Sequence, residues 1–283
     1  MRLNPFNTGN IQVKGSSGGG VGKAGGLGCG TIIIAALGYF VFGLDPFQTA
    51  ATVESVQQGS QSSGGTEMSE QEACTANEYS REACDGLQSL NQTWARVFQE
   101  QGLGDRFQQP TLHLYSGGVR TACGNGSANM GPFYCPSDQT IYIDTSFYDQ
   151  LARMAGGGGD FARYYVLAHE YGHHIQTITG ISGQIRSQQQ RVSRGQANQL
   201  NVRMELQADC YAGVWAGKNR NLIEPGDIEE GMRAASAIGD DKLTGGRVSS
   251  ENFTHGTSAQ RSEALRTGLR GDDSACDAYT IVS

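Results

Sequence analysis

The stretch His169-Glu170-Tyr171-Gly172-His173 places two histidines four residues apart. On a helix, residues at this spacing lie about 40° apart around the axis, so both imidazoles can reach one metal ion. Glu170 is turned roughly 100° further round and can act on a water molecule without displacing a ligand. The stretch therefore predicts two zinc ligands, His169 and His173, and a general base, Glu170.

The residues around this stretch predict a long and largely buried helix. Asp160 follows a run of four glycines and is a suitable N-cap, and Gly180 is a suitable end. Gly172 inside the helix costs about 1 kcal/mol relative to alanine, which suggests that another element packs closely there. Burial is indicated by apolar side chains around the helix: Phe161, Tyr165, Leu167, Ala168, Ile175 and Ile178.

A second helical stretch, residues 196–217, carries Glu205 and Asp209 four residues apart and therefore on one face. Two imidazoles and one carboxylate leave a fourth zinc position open, as in catalytic sites. Glu205 is the best candidate for the third ligand, with Asp209 accepting the free ring N–H of a ligand histidine. On spacing alone, a solvated or salt-bridged pair of carboxylates explains both residues equally well.

Other histidines and one arginine have less defined roles. His174 is rotated about 100° from its neighbour in the motif, which favours packing or hydrogen bonding, and His113 is interpreted as structural. His255 lies in a glycine-containing loop, where it either donates a hydrogen bond to a developing oxyanion or bonds locally. Arg261 is either an anion-binding group in a cleft or part of a surface salt bridge.

Further patterns predict three more helical stretches and a small sheet. We expect the two strands to form a hairpin-like edge that could dock an extended peptide by backbone pairing. Asp240 and Asp241 fit cap or loop residues better than a calcium site, because no further oxygen ligands accompany them. The helical stretches are 70–101, 226–239 and 258–270, and the strands are 111–115 and 139–145.

Residues 24–44 contain no charge and are rich in apolar side chains, which predicts a membrane span of marginal length. An uncleaved anchor is favoured over a signal peptide cleaved near residues 49–51. Because the basic residues lie before the span, we expect a cytoplasmic N-terminus and an extracytoplasmic main domain. The predicted organisation is a disordered tail at 1–23, a transmembrane anchor at 24–44, a flexible linker at 45–69 and a zinc metallopeptidase domain at 70–283.

The cysteines agree with export, because six of the seven lie after the predicted span and an even set favours disulfides. Six cysteines allow fifteen pairings, and buried free thiols are the alternative. Proximity along the chain favours Cys74 with Cys84 and Cys123 with Cys135, which leaves Cys210 for Cys276.

The charge is unevenly distributed along the chain. All 28 acidic residues lie at or after residue 45. Three of the 21 basic residues, Arg2, Lys14 and Lys23, lie before it. The main domain is therefore acidic, which argues against a nucleic-acid partner.

Five stretches together resemble a known family. They are GPFYCPSDQTIYID (131–144), HEYGHHIQ (169–176), ELQADCYAGVWA (205–216), AASAIGDD (234–241) and FTHGTSAQR (253–261). The chain resembles the bacterial putative neutral zinc metallopeptidases, which are membrane-anchored relatives of the zincins. The resemblance covers nearly the whole chain. It implies an α+β, zincin-like fold, mainly helical with a small β-sheet edge and preceded by one transmembrane helix.

The resemblance also implies roles for the individual residues. His169, His173 and Glu205 would be the ligands of Zn²⁺, Glu170 the base, and Asp209 a supporting residue. The expected function is zinc-dependent hydrolysis of peptide or protein substrates by a membrane-anchored enzyme. The alternative is a non-catalytic, zinc-stabilised envelope protein that binds peptides or a membrane partner, although such a site does not require a base beside its ligands. The oligomeric state is not indicated.

Overall fold

The computed structural model describes residues 1–17, 66–127 and 130–280. The helices in these ranges are α1 (Glu70–Thr75), α2 (Glu78–Glu100), α3 (Phe147–Met154), α4 (Asp160–Ile178), α5 (Ile181–Gln189), α6 (Arg194–Lys218), α7 (Asp227–Ala237), α8 (Asp240–Leu243) and α9 (Ser258–Gly268). The strands are β1 (Val13–Ser17), β2 (Thr66–Met68), β3 (Thr111–Tyr115), β4 (Gly118–Thr121), β5 (Gly124–Ser127), β6 (Phe133–Cys135) and β7 (Thr140–Asp144). Short 3-10 helices cover Thr8–Asn10, Gly104–Arg106, Arg220–Leu222, Ser250–Asn252 and Asp273–Tyr279.

The main sheet has the strand order β2-β1-β3-β7-β6, and β4 pairs with β5 in a separate two-stranded sheet. The predicted hairpin between the strands at 111–115 and 139–145 is wrong, because β3 and β7 are parallel, with Leu112 opposite Ile141. Parallel neighbours need a crossover connection, and β4, β5 and β6 occupy it. The antiparallel partner of β7 is instead the short outer strand β6.

The first 17 residues belong to the folded domain, so the predicted disordered tail is wrong over this range. Strand β1 runs parallel to β3, with Val13 opposite Leu112. Met1, Ile11 and Val13 are each 4% exposed. This strand could not be predicted from the sequence because it is short and polar, and because its partner β3 lies about a hundred residues further along the chain.

The predicted single-pass anchor is also corrected. Strand β1 ends at residue 17 and β2 begins at residue 66, yet they pair antiparallel, with Gly15 opposite Met68. A single membrane crossing between them would put these two strands on opposite sides of a bilayer. Within the described ranges, no helix has both the length and the apolarity needed to cross a membrane. The predicted span at 24–44 and residues 45–65 of the predicted linker lie outside those ranges.

Helix α4 is the central helix, and its position against α6 depends on Gly172. A Cβ atom at Gly172 would lie 2.9 Å from the Cα atom of Ala208, so any larger residue would push the two helices apart. This close approach confirms the interpretation of Gly172. It brings the face of α4 that carries the motif against the face of α6 that carries Glu205 and Asp209.

Local polar contacts and disulfides fix the surrounding elements. The predicted helix 70–101 is divided in two because the Asn77 side chain accepts the Ser80 N–H and caps α2. The predicted disulfide pairing is confirmed. The bonds are Cys74–Cys84, Cys123–Cys135 and Cys210–Cys276, the last of which ties α6 to the 3-10 helix near the C-terminus.

Candidate metal centre

The two motif histidines and Glu205 converge in the contact between α4 and α6. His169 Nε2 lies 3.2 Å from Glu205 Oε2, and His173 Nε2 lies 3.3 Å from Glu205 Oε1. Ligand atoms of a tetrahedral zinc ion with bonds of about 2.0–2.1 Å lie about 3.3 Å apart. The spacing and the chemistry of these three side chains therefore fit Zn²⁺ and leave a fourth position for a non-protein ligand.

A hydrogen bond at Nδ1 orients each of the two histidines. His169 Nδ1 lies 2.7 Å from Asp209 Oδ1, and His173 Nδ1 lies 2.9 Å from Gln176 Oε1. Both contacts place a ring proton on Nδ1, so Nε2, which faces Glu205, is the nitrogen that could bind a metal ion. Partners of this kind fix the tautomer and raise the basicity of metal-binding histidines.

Gln176 is a supporting residue that the sequence analysis missed. Its Nε2 donates to the Met204 carbonyl at 2.7 Å and to Gln207 Oε1 at 3.0 Å, so its Oε1 is left to accept from His173. Gln176 thereby connects a candidate ligand on α4 to the backbone of α6 beside Glu205. Its position three residues after His173 was the available signal, because side chains at that spacing lie on one helix face.

Asp209 is fully buried, and two side chains hold it in addition to the histidine that it orients. Tyr165 Oη donates to its Oδ1 at 2.6 Å, and Arg261 donates from Nε to Oδ2 at 2.8 Å and from a terminal nitrogen to Oδ1 at 2.9 Å. Burial raises the pKa of Asp209, but Arg261 and His169 outweigh it and hold the pKa below its ordinary value. Asp209 is therefore an ionised acceptor.

Arg261 lies in neither of the two places expected from the sequence. Its side chain is 2% exposed, so it belongs neither to a surface salt bridge nor to an open cleft. Its two-pronged contact with Asp209 keeps both charges compensated inside the protein.

The electrostatics of the centre favour a positive charge among the three candidate ligands. Burial lowers the pKa of His169, whereas Asp209 and Glu205 raise it, to about 10 on balance. Burial raises the pKa of Glu205, but His173 and His169 hold it well below its ordinary value. A divalent cation would satisfy the same carboxylates that attract protons to these imidazoles.

Glu170 lies beside the ligands without contacting their Nε2 atoms. It is 8% exposed. Burial raises its pKa, and the neighbouring His169 and His173 offset part of this increase. A carboxylate whose pKa is raised toward neutrality is better suited to taking up and returning a proton than an ordinary glutamate.

His255 lies in the loop before α9. Its side chain is 45% exposed, and Nδ1 lies 3.1 Å from Asp240 Oδ1. It is close enough to Glu205 for the two charges to interact. Nε2 of His255 makes no hydrogen bond within the described residues, so it is available to a bound molecule.

Asp240 positions His255, and the sequence analysis had treated it only as a cap or loop residue. Asp240 is 0% exposed. Its Oδ2 accepts the backbone N–H groups of Thr254, His255 and Gly256 at 2.7–3.0 Å. The carboxylate therefore fixes both the loop and the imidazole. Asp241 agrees with the prediction of a cap residue, because it accepts a hydrogen bond from the Ser258 N–H at the start of α9.

The remaining histidines are structural, as expected. His174 is 0% exposed, accepts from Tyr134 Oη at Nδ1 and donates from Nε2 to the Gln108 carbonyl. Burial lowers its pKa to about 4, so it is neutral and links α4 to β6. His113 contacts Ser16 Oγ in the neighbouring strand at 3.0 Å.

Comparisons with known proteins agree with a metal centre. The sequence model of a family described as putative neutral zinc metallopeptidase matches residues 7–279. The uncharacterized protein YpfJ of Escherichia coli K12 is 47% identical over 199 residues, which are 68% of this chain and 69% of that protein. The uncharacterized protein Mb2605 of Mycobacterium bovis is 42% identical over 191 residues, 62% of this chain and 64% of that protein. No solved structure matches the chain.

Proposed function

Because the chain belongs to the putative neutral zinc metallopeptidase family, we propose that it hydrolyses peptide bonds with Zn²⁺ held by His169, His173 and Glu205. The observation that carries the proposal is the spacing of the two Nε2 atoms from the Glu205 carboxylate, 3.2 and 3.3 Å. That spacing suits a tetrahedral ion with one position left for a water molecule or substrate. Glu170 beside the ligands supplies the base that a purely structural zinc site does not need.

Zinc supplies Lewis acidity, which lowers the pKa of water and polarises a carbonyl group. Glu170 takes the proton from the attacking water and returns it to the amine that leaves. Its raised pKa suits both steps, because the same group must act first as a base and then as an acid.

His255 would assist by donating from Nε2 to the oxygen on which negative charge develops. Asp240 fixes the Nδ1 side of the ring and so keeps Nε2 outward. A donor that is positioned in advance stabilises the developing charge without reorganisation during the reaction.

The outer strand β6 offers a docking edge for an extended substrate. Among the described strands it pairs with β7 alone, and its Tyr134 contacts His174, the neighbour of His173 on α4. Backbone pairing along such an edge is a common mode of peptide recognition.

The test is the Glu170→Gln variant of the zinc-loaded chain, assayed on a mixed peptide library by mass spectrometry. We expect zinc content to stay at the wild-type level and the cleavage rate to fall by about 10²–10⁴-fold, the usual contribution of a general base. Glu229→Gln is the matched control, because it makes the same change at an exposed position on α7.

Three results would count against parts of the proposal. Full activity in Glu170→Gln would exclude Glu170 as the base. Loss of zinc in that variant would make Glu170 a ligand. A wild-type protein that binds zinc and cleaves no peptide in the library would favour the non-catalytic alternative.

A further inference from the structure

A cavity of about 230 Å³ opens beside the metal ligands His173 and Glu205. We call it the α5–α6 cavity, because its other walls include Ile185 and Arg186 of α5 and Met204 of α6. Sites for whole drug-sized molecules usually measure about 300–1,000 Å³. The α5–α6 cavity is smaller than these sites, so it suits one side chain or one chain end of a peptide lying across the metal centre.

Arg186 gives this cavity a positive charge. Its side chain is exposed, and its guanidinium makes no hydrogen bond or ion pair within the described residues. The other charged residues that line the cavity, His173 and Glu205, belong to the metal centre. Arg261 is instead buried, and its donors are directed at Asp209, Tyr165 and the Ile238 carbonyl. The guanidinium of Arg186 is therefore a cation with open donors next to the reaction site.

Several polar groups in the cavity wall already have partners of their own. Tyr134 Oη bonds to His174, and Thr177 Oγ1 donates to the His173 carbonyl. Gln189 Nε2 donates to Asn201 Oδ1 at 2.5 Å. A bound group would compete with these bonds at each of those positions, whereas at Arg186 it would gain a partner without breaking one.

We infer that the preferred substrates carry a carboxylate close to the cleaved bond, and that Arg186 binds this carboxylate in the α5–α6 cavity. The inference rests on the proposed peptidase function. The planar guanidinium presents a fork of N–H donors that matches the two oxygens of a carboxylate. Two sources of this chemistry exist in peptides: an aspartate or glutamate side chain, and the terminal carboxylate of a chain that ends just after the cleaved bond.

The test starts from a peptide that the zinc-loaded chain cleaves and varies the residue next to the cleaved bond among Glu, Gln and Lys. With free and amidated C-termini, the series separates the two sources. We expect kcat/KM to be about tenfold higher for a peptide with the carboxylate than for the same peptide with the neutral amide. This factor lies between those expected for an exposed ion pair and for a charge-assisted hydrogen bond. The preference should vanish in Arg186→Glu, which should favour Lys.

Arg191→Glu is the matched control, because it makes the same charge change at an exposed position just after α5 and outside the cavity wall. A Glu preference that disappears only in Arg186→Glu supports the inference with a side-chain carboxylate. Loss of rate on amidation that disappears only in Arg186→Glu supports it with a chain end. Equal rates for acids and amides in the wild type, or equal effects of both arginine variants, would overturn it.

A failure of the proposed function would be visible separately, as the absence of cleavage of every peptide. In that case the affinities of the Glu and Gln peptides for the zinc-loaded wild type and Arg186→Glu, measured by fluorescence anisotropy, decide the inference. Tighter binding of the Glu peptide to the wild type alone would support it. Equal affinities in both proteins would overturn it.

Discussion

Helix α4 takes part in two clusters of three side chains whose ligand atoms all lie within 4.8 Å of one another. One is the candidate centre of His169, His173 and Glu205. The other, which we call the acidic cluster, consists of Asp160 at the start of α4 with Asp227 and Glu230 of α7. By proximity alone, both could hold a cation. Their surroundings give them different chemistry.

In the candidate centre, two of the ligand atoms are imidazole nitrogens, and a hydrogen bond at the far side of each ring directs them inward. In the acidic cluster, the α-amino group of Met1 already lies 2.9 Å from Asp160 and 3.0 Å from Asp227. Glu230 Oε2 has no hydrogen-bond partner in the part of the chain that the structure describes. Short distances between ligand atoms therefore do not define a metal site; the groups that orient the ligands do.

The largest expected contrast between the clusters is in zinc affinity after removal of one carboxylate from each. Glu205→Ala should weaken zinc binding on the order of a hundredfold or more. The free energy of zinc binding to four-ligand sites is about 10–16 kcal/mol, and each ligand contributes a share of it. Glu230→Ala should leave zinc binding unchanged. Competition with a chelator of known affinity measures both. Equal losses in the two variants would abolish the distinction between the clusters.

A smaller contrast concerns the carboxylates that do not touch the metal themselves. Asp209→Asn should weaken zinc binding about 10–100-fold, since it disturbs the acceptor that orients His169. It also leaves the buried Arg261 without its counter-charge, so thermal unfolding must show that the variant is folded at the temperature of the titration. Asp227→Asn makes the same change in the acidic cluster, and we expect wild-type zinc affinity. Unchanged affinity in a folded Asp209→Asn would remove its proposed supporting role.

The sequence predicted the candidate centre better than it predicted the topology. The spacing of His169 and His173, and of Glu205 and Asp209, is local information that a helix converts directly into a shared face. Gly172 indicated the close contact that joins the two helices. The sequence could not show that β1 pairs with β3, because partners far apart in the chain leave no periodic signal in a short polar strand. The same limit led to the incorrect hairpin, whereas the membrane crossing was predicted from the uncharged, apolar composition of residues 24–44.

Supporting residues were found only when they lay on a predicted helix face. Asp209 was identified because it follows Glu205 by four residues. Asp240 was missed because it acts on His255 through a loop contact across 15 residues, which no helical or strand period describes. Arg261 was noticed, but its burial against Asp209 depends on the packing of α9 on α6, which the sequence did not reveal.

The smallest expected effect is on stability, and it shows whether the acidic cluster favours or disfavours the negative charge of Glu230. Burial, with repulsion from Asp160 and Asp227, raises the pKa of Glu230 above its ordinary value. The charged form is therefore disfavoured in the folded state, and this destabilisation grows as pH rises through the ordinary pKa of glutamate and is complete above the folded pKa. Glu230→Gln should then be more stable than the wild type at pH 7, by up to about 1 kcal/mol for a partly exposed group, with little difference at pH 4. Urea unfolding at the two pH values measures this change. A less stable variant at pH 7 would mean that the ionised Glu230 is held by a cation, and the acidic cluster would then resemble the candidate centre.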